Sequence, residues 1–132
     1  MLKKILLAVN GTLMRGLKLN GNMLAAGADF VREAKTDAHY RCWSVQDDHP
    51  AMIRTKEPAA EIDVEIWAVS AQGLADILAK EPAGLCIGKV QLNDGSEVLG
   101  VLGEPWVVEG EKDITAYGGW RNYIAGCKNN QP

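Results

Sequence analysis

Residues 61–80 read EIDVEIWAVSAQGLADILAK. From Glu61 to Val69 the residues alternate: Ile62, Val64, Ile66 and Ala68 face one way, and Asp63, Glu65, Trp67 and Val69 the other. A period of two is the mark of a β-strand. At Ser70 the period changes. Ser70 is a residue type that caps helix N-termini, and Leu74, Ile77 and Leu78 then recur on one helical face until Lys80. Pro82 stops the helix, because its ring removes a donor and clashes with the preceding turn. A half-buried strand handing over to an amphipathic helix sets the frame for the rest of the chain.

Downstream, residues 86–92 and 97–102 read as two strands joined by Asn93-Asp94-Gly95, a strong hairpin signal. A last helix is predicted from an Asp113 cap, with Ile114, Tyr117, Arg121 and Ile124 at helical spacing, weakened by Gly118-Gly119. Upstream, residues 3–9 form a buried strand ended by Asn10-Gly11. Residues 12–20 are a loop or short helical turn, and residues 23–26 another turn. Residues 29–36 and 39–46 read as strands, and the short Thr36-Asp37-Ala38 connection predicts that they pair as a hairpin. Residues 47–50 break the second of them, and residues 51–55 make one more strand. Short strands with helices clustered in a few places, and no strict βαβ alternation, give an α+β fold. The expectation is a small mixed β-barrel-like sheet with flanking helices, one domain over residues 1–127, and a frayed tail at 128–132.

The chain has 132 residues and a net charge of −3. There is no run of Lys or Arg beyond Lys3-Lys4, which argues against a nucleic-acid surface. The apolar run Ile5–Val9 is far too short to span a bilayer. Cys42, Cys86 and Cys127 are odd in number and lack paired spacing, so they read as free thiols in a reducing, cytoplasmic setting.

Chemistry has few candidates. The turn Asn10-Gly11-Thr12-Leu13 suits an anion or polarised carbonyl: Gly11 lets a ligand approach the backbone, successive N–H groups point one way, and Thr12 adds a hydroxyl. It also suits an ordinary tight turn. Glu65 and Asp63 are acid/base candidates if their strand face lines a pocket, and surface acids if it meets water. Arg121 after Gly118-Gly119-Trp120 suits a bidentate carboxylate pair or a docked helix. Asp47-Asp48-His49 lacks metal-ligand spacing, so no metal or other cofactor is expected. Neither His39 nor His49 stands in a nucleophile-like context, and no Ser-His-Asp or Cys-His set is expected.

Several ordered segments carry a resemblance. They are Val9–Gly16; Tyr40–Trp43 with His49–Met52; Val64–Trp67; Gly84–Val90 with Leu92–Gly95; and Asp113–Thr115 with Gly118-Gly119-Trp120-Arg121. Together they resemble the γ-glutamylcyclotransferase-like family, most closely stand-alone relatives of the allophanate hydrolase C-terminal domain. The resemblance implies a pocket at one end of a mixed barrel. It implies a ligand loop over Asn10, Gly11, Thr12, Leu13 and Arg15, and a general acid/base at Glu81, with Glu65 as the rival. It also implies a small carboxylate or amide ligand and, as partner, a separate amidase. Asn10 stands where the cyclotransferase loop has Tyr, and Leu13 where decarboxylating relatives carry a His. Two readings follow: an enzyme acting on a small amide, urea-derived or γ-glutamyl-type compound, or a non-catalytic binding or assembly module. The Gly11–Leu13 backbone is expected in the largest polar-lined pocket, with Glu81 half-buried and directed toward it.

Overall fold

A computed structural model describes the backbone of residues 4–129 and the side chains of residues 4–126. The elements run β1 (Ile5–Val9), α1 (Asn20–Ala25), β2 (Asp29–Lys35), β3 (Tyr40–Val45), β4 (His49–Arg54), β5 (Asp63–Val69) and α2 (Ala71–Lys80). They continue with β6 (Leu85–Gln91), β7 (Glu97–Gly103), α3 (Pro105–Val108), β8 (Lys112–Asp113), a 3-10 turn (Thr115–Tyr117) and α4 (Trp120–Asn129).

The class is α+β. Five strands form one sheet in the order β2-β5-β1-β7-β6, and three form a second, β4-β3-β8. Among the described residues only β1 and β7 run parallel, with Leu7 opposite Leu99 and Ala8 opposite Gly100. Gly100 permits this: a Cβ there would stand 2.5 Å from Val90 Cγ2 and 3.2 Å from Ala8 Cβ. The larger sheet is open rather than a closed barrel. It curls far enough for its edges to meet at one end, where Thr36 bridges Leu92 and the Asn93 N–H donates to the Lys35 carbonyl at 3.0 Å.

The strand that opened the reading lies inside the sheet, antiparallel to both β1 and β2. Its second face is largely covered as well: Glu65 and Trp67 are as enclosed as Val64 and Ile66, while Asp63 at the strand's start stays partly exposed. Ser70 caps α2 by accepting from the Gly73 N–H at 3.0 Å, and Ile77 anchors that helix in the core. The β6–β7 hairpin forms around Asn93-Asp94-Gly95, with Gly95 in the left-handed region.

Three expectations give way, the second only in part. The β2–β3 hairpin does not form. Thr36 keeps the end of β2 on the first sheet, because its Oγ1 accepts from the Ile62 N–H at 2.9 Å, while β3 opens the second sheet beside β4 and β8. Residues 47–50 end the second strand as expected, but the break is shorter: His49 and Pro50 already belong to β4, which starts before the expected residue 51. Gln46 and Asp47 have φ of 53° and 54°, and the Asp48 N–H donates to the Val45 carbonyl at 2.9 Å. That is a three-residue loop, 46–48, with Val45 paired to His49 and a left-handed turn at its first two residues. Asp47 Oδ1 secures it by accepting from Ser44 Oγ and from the Tyr123 hydroxyl. The last helix, finally, comes in two pieces. Gly118 (φ 79°) and Gly119 (φ 153°) separate the 3-10 turn from α4, and Lys112–Asp113 pairs with β3 instead of starting a helix. α4 runs through Asn129, past the expected end at 127; residues 130–132 lie outside those described.

Among the described residues no helix is long and apolar enough to cross a membrane. Cys42 and Cys86 are free thiols; the Cys127 side chain lies outside the described residues. Burial pushes the Cys42 thiol up to about 12. Native protein treated with iodoacetamide at pH 8 should therefore leave Cys42 unmodified, whereas unfolded protein should yield three alkylated cysteines per chain under non-reducing conditions. Recovery of a single free thiol from the unfolded chain would contradict this.

Candidate functional site

The sheet edge and the second sheet enclose a narrow cleft at the C-terminal end of β1. The chain turns sharply after Val9. The Met14 N–H donates to the Gly11 carbonyl and the Leu19 N–H to the Thr12 carbonyl, each at 2.9 Å. Asn10 Nδ2 donates to the Val101 carbonyl at 2.9 Å, which ties the turn to β7. Gly11 serves a different purpose from the one expected of it. A Cβ at Gly11 would lie 2.5 Å from both Cγ and Cδ of Pro50, so the missing side chain makes room for β4. Among the described residues no protein group accepts from the N–H of Gly11, Thr12 or Leu13.

Glu81 enters the same cleft from α2. It is the C-cap residue, with extended backbone (φ −76°, ψ 151°), so the chain leaves the helix there. Its half-buried side chain lines the cleft together with the Asn10–Leu13 turn, His49 and Pro50. Burial pushes the Glu81 carboxyl above the usual carboxylate range, and nearby His49 partly offsets that rise. A carboxyl so placed can hold a proton nearer neutrality than a solvated one. The free space is small, about 10 Å3, the room of one water-sized group.

His49 is the residue that sequence reasoning passed over. It is 8% exposed, its Nδ1 lies 3.0 Å from Asp48 Oδ2, and its Nε2 is buried without a hydrogen-bond partner. Only Asp48 is visible beside it in the sequence; Glu81 and Gly11 arrive from distant segments.

Among the described residues a far larger cavity lies elsewhere, contrary to expectation. It is an open groove of about 510 Å3 whose lining includes Arg32, Lys35, Asp63, Glu65 and Arg121. Glu65 is the buried hub of this region. Its Oε1 accepts from the Arg15 N–H at 2.9 Å and from Trp67 Nε1 at 3.2 Å. Its Oε2 accepts from Arg15 Nε at 3.1 Å and Arg121 Nη2 at 3.3 Å. Arg121 also donates to the Arg15 carbonyl at 2.9 Å, and the Arg15 guanidinium stacks 3.7 Å over the Phe30 ring. Glu65, followed by Glu33, pushes the guanidinium pKa of Arg15 further up.

The candidate residues thus fall into two groups. Asn10, Gly11, Thr12, Leu13 and Glu81 meet in the cleft, whereas Glu65, Arg15 and Arg121 form a clamp on the far end of the same loop. Among the described residues no three His, Cys, Asp or Glu side chains converge as a metal site.

Comparison with known proteins gives this geometry a setting. A crystal structure of a uropathogenic E. coli-specific protein superposes with a TM-score of 0.91 at 59% identity, covering 92% of this chain and 96% of that one. Kluyveromyces lactis allophanate hydrolase superposes with a TM-score of 0.89 at 27% identity, over 94% of this chain but 21% of its own. The urea amidolyase of Lachancea kluyveri is 27% identical over 132 residues, which are 95% of this chain and 7% of that protein. The chain therefore spans a small part of the curated relatives it matches. A γ-glutamyl cyclotransferase structure shares the fold at 16% identity, with a TM-score of 0.52 over 84% of this chain and 70% of that one. The model of the allophanate hydrolase C-terminal domain matches residues 5–125, and the chain belongs to that family.

Proposed function

We propose that this protein binds the polar head of a small amide, urea-derived or γ-glutamyl-type compound in the Asn10–Leu13 cleft, with Glu81 as the general acid/base. The observation that carries the reading is Glu81 itself: a half-buried carboxyl of raised pKa that lines one cleft with the Gly11–Leu13 turn, whose N–H groups no described protein group accepts from. Those N–H groups would hold a carbonyl or carboxylate oxygen, and Glu81 would move the proton. Arg15, Glu65 and Arg121 act from behind, as the clamp that fixes the loop. Free thiols at Cys42 and Cys86 suit a reducing cytosol.

The test is a thermal-shift screen of small carboxylates and amides, followed by crystals of the best ligand. A ligand touching Gly11, Thr12 or Leu13 and Glu81 is the expected result. A ligand seated only in the Glu65–Arg121 groove would overturn the assignment. Glu81→Gln should abolish any turnover, because the amide keeps the shape and loses the proton.

The same substitution has a pH signature in stability. A folded state that raises a carboxyl's pKa binds its proton more tightly than the unfolded chain does. Stability is then lost as pH rises from the ordinary value of 4.5 through the raised one, and the loss persists above it. Glu81→Gln should therefore raise Tm at pH 7.5 and leave it nearly unchanged at pH 4. An equal shift at both values would disprove the burial argument.

A second reading has support of its own. In the relatives this region is a minor part of a long chain, 21% of an allophanate hydrolase and 7% of a urea amidolyase. The domain would then assist a separate amidase. Co-elution with an amidase encoded beside it, together with no ligand response in the screen, would favour that reading.

A further inference from the structure

The cleft has a wall that the proposed function leaves unused, and the inference here rests on that function's choice of cleft. His49 Nδ1 and Asp48 Oδ2 are 3.0 Å apart. An ionised carboxylate has no hydrogen to give, so the proton in that bond sits on Nδ1. Asp48 stays ionised, because Lys18, bonded to it at 2.5 Å, and then His49 hold its pKa below the usual range. The acceptor role belongs to the neutral ring, where a proton on Nδ1 leaves Nε2 bare; the charged ring, the form that lowers the Glu81 pKa, makes Nε2 a donor. This Nε2 is buried and meets no donor among the described residues. Buried polar atoms without partners are rare and point to a bound group.

The surroundings aim the ring. The left-handed pair Gln46 and Asp47 starts β4 at His49, and Pro50 locks against Gly11. His49 therefore lines the same cleft as the Gly11–Leu13 N–H groups and Glu81. The turn carries three N–H groups that no described protein group accepts from, and the ring carries a nitrogen without a partner. We propose that His49 is a ligand-contacting residue of this cleft, its Nε2 accepting a hydrogen bond from an N–H of the ligand's head group, with Asp48 as the residue that positions the ring.

The complement of such walls is a head group carrying both a carbonyl oxygen and an N–H, as at the end of a primary amide or a urea. A bare carboxylate would bring a second set of lone pairs against Nε2. The cleft as it stands has room for one water-sized group, so a whole head group enters only if the turn or the His49 ring gives way.

The test uses the full chain labelled with 15N and three probes: acetamide, urea and acetate. Long-range 1H–15N spectra report the imidazole tautomer and the state of each ring nitrogen, and the half-buried His39, whose Nδ1 lies 3.1 Å from the Lys56 carbonyl, gives the second imidazole for comparison. In the free protein His49 should show the Nδ1–H tautomer. Acetamide and urea should move the His49 Nε2 resonance together with the Gly11–Leu13 amides, and acetate should bind more weakly. His49→Phe should weaken acetamide by about tenfold, equivalent to about 1.4 kcal/mol. His49→Gln, which keeps an acceptor, should recover part of the loss. Backbone amide spectra of both variants check that they fold. Should His49→Phe fail to fold, His49→Gln and the wild-type Nε2 shift still decide.

Acetamide that moves the loop amides while Nε2 stays still, or that binds His49→Phe as tightly as wild type, overturns the His49 proposal and leaves the cleft reading intact. Acetate binding as tightly as acetamide overturns the acceptor role. If no probe moves the Gly11–Leu13 amides, the cleft reading falls and this proposal falls with it.

Discussion

Glu65→Ala should destabilise the fold by about 3 kcal/mol, the low end of the roughly 3–5 kcal/mol seen when one partner of a buried ion pair is removed. Glu65 is 3% exposed and answers four donors: the Arg15 N–H, Arg15 Nε, Trp67 Nε1 and Arg121 Nη2. Alanine leaves the buried Trp67 N–H without an acceptor and opens a void inside β5. The low end is chosen because the Arg15 and Arg121 side chains are 44% and 47% exposed and can turn back to water. Glu65→Gln should cost less, about 1.5–3 kcal/mol, since one oxygen remains for two of the donors while the new amide faces the guanidinium groups. Urea denaturation of the two variants checks this through the transition midpoint. A loss below about 1 kcal/mol for Glu65→Ala would reduce the clamp to a surface feature.

The second large effect is expected at Gly11. Gly11→Ala should cost about 1–3 kcal/mol, the usual penalty for overpacking, and toward the upper part of that range. The new methyl would come 2.5 Å from two atoms of the Pro50 ring, which is rigid, buried and part of β4. A flexible side chain could swing aside; a proline ring in a strand moves only with its backbone. The same displacement would carry His49 away from the cleft, so ligand response should fall along with stability. Pro50→Ala alone should be mild, and the Gly11→Ala/Pro50→Ala pair should recover much of the loss if the contact is the cause. Additive losses in the double variant would place the cause elsewhere.

The legible parts of the sequence were those whose signals are local. Ser70 announces its helix within four residues, and Asn93-Asp94-Gly95 announces its hairpin within three. The turn at Gln46-Asp47 was legible only as a break after the second strand, because its left-handed backbone is held by Ser44 and by Tyr123 from α4, which come from outside the turn. The misread β2–β3 pairing came from treating neighbours in sequence as neighbours in the sheet, whereas Thr36 answers to Ile62 and Leu92. The cleft was half legible. Family resemblance located Glu81 and the Asn10–Leu13 loop, but it did not locate His49. Nothing beside His49 in the chain reveals that its Nε2 lacks a partner, because that depends on what α2 and β1 bring, and fail to bring, around it. The burial of Glu65 was equally hidden, since an alternating pattern does not say whether its polar side will be covered by another element.

The placement of β1 bears on how the protein is born. This first apolar strand ends up in the middle of its sheet, with Leu7 beside Trp67 on one flank and Leu99 on the other. On the ribosome it emerges long before either neighbour exists. At about 5–20 residues per second, Leu7 waits roughly 5–20 s for Leu99 to be made. Parallel pairings between such distant residues also close slowly once available, because the intervening chain must be ordered before the contacts repay it. Until β5 is made, Ile5 to Val9 has neither sheet neighbour, and until β7 follows it keeps one open edge.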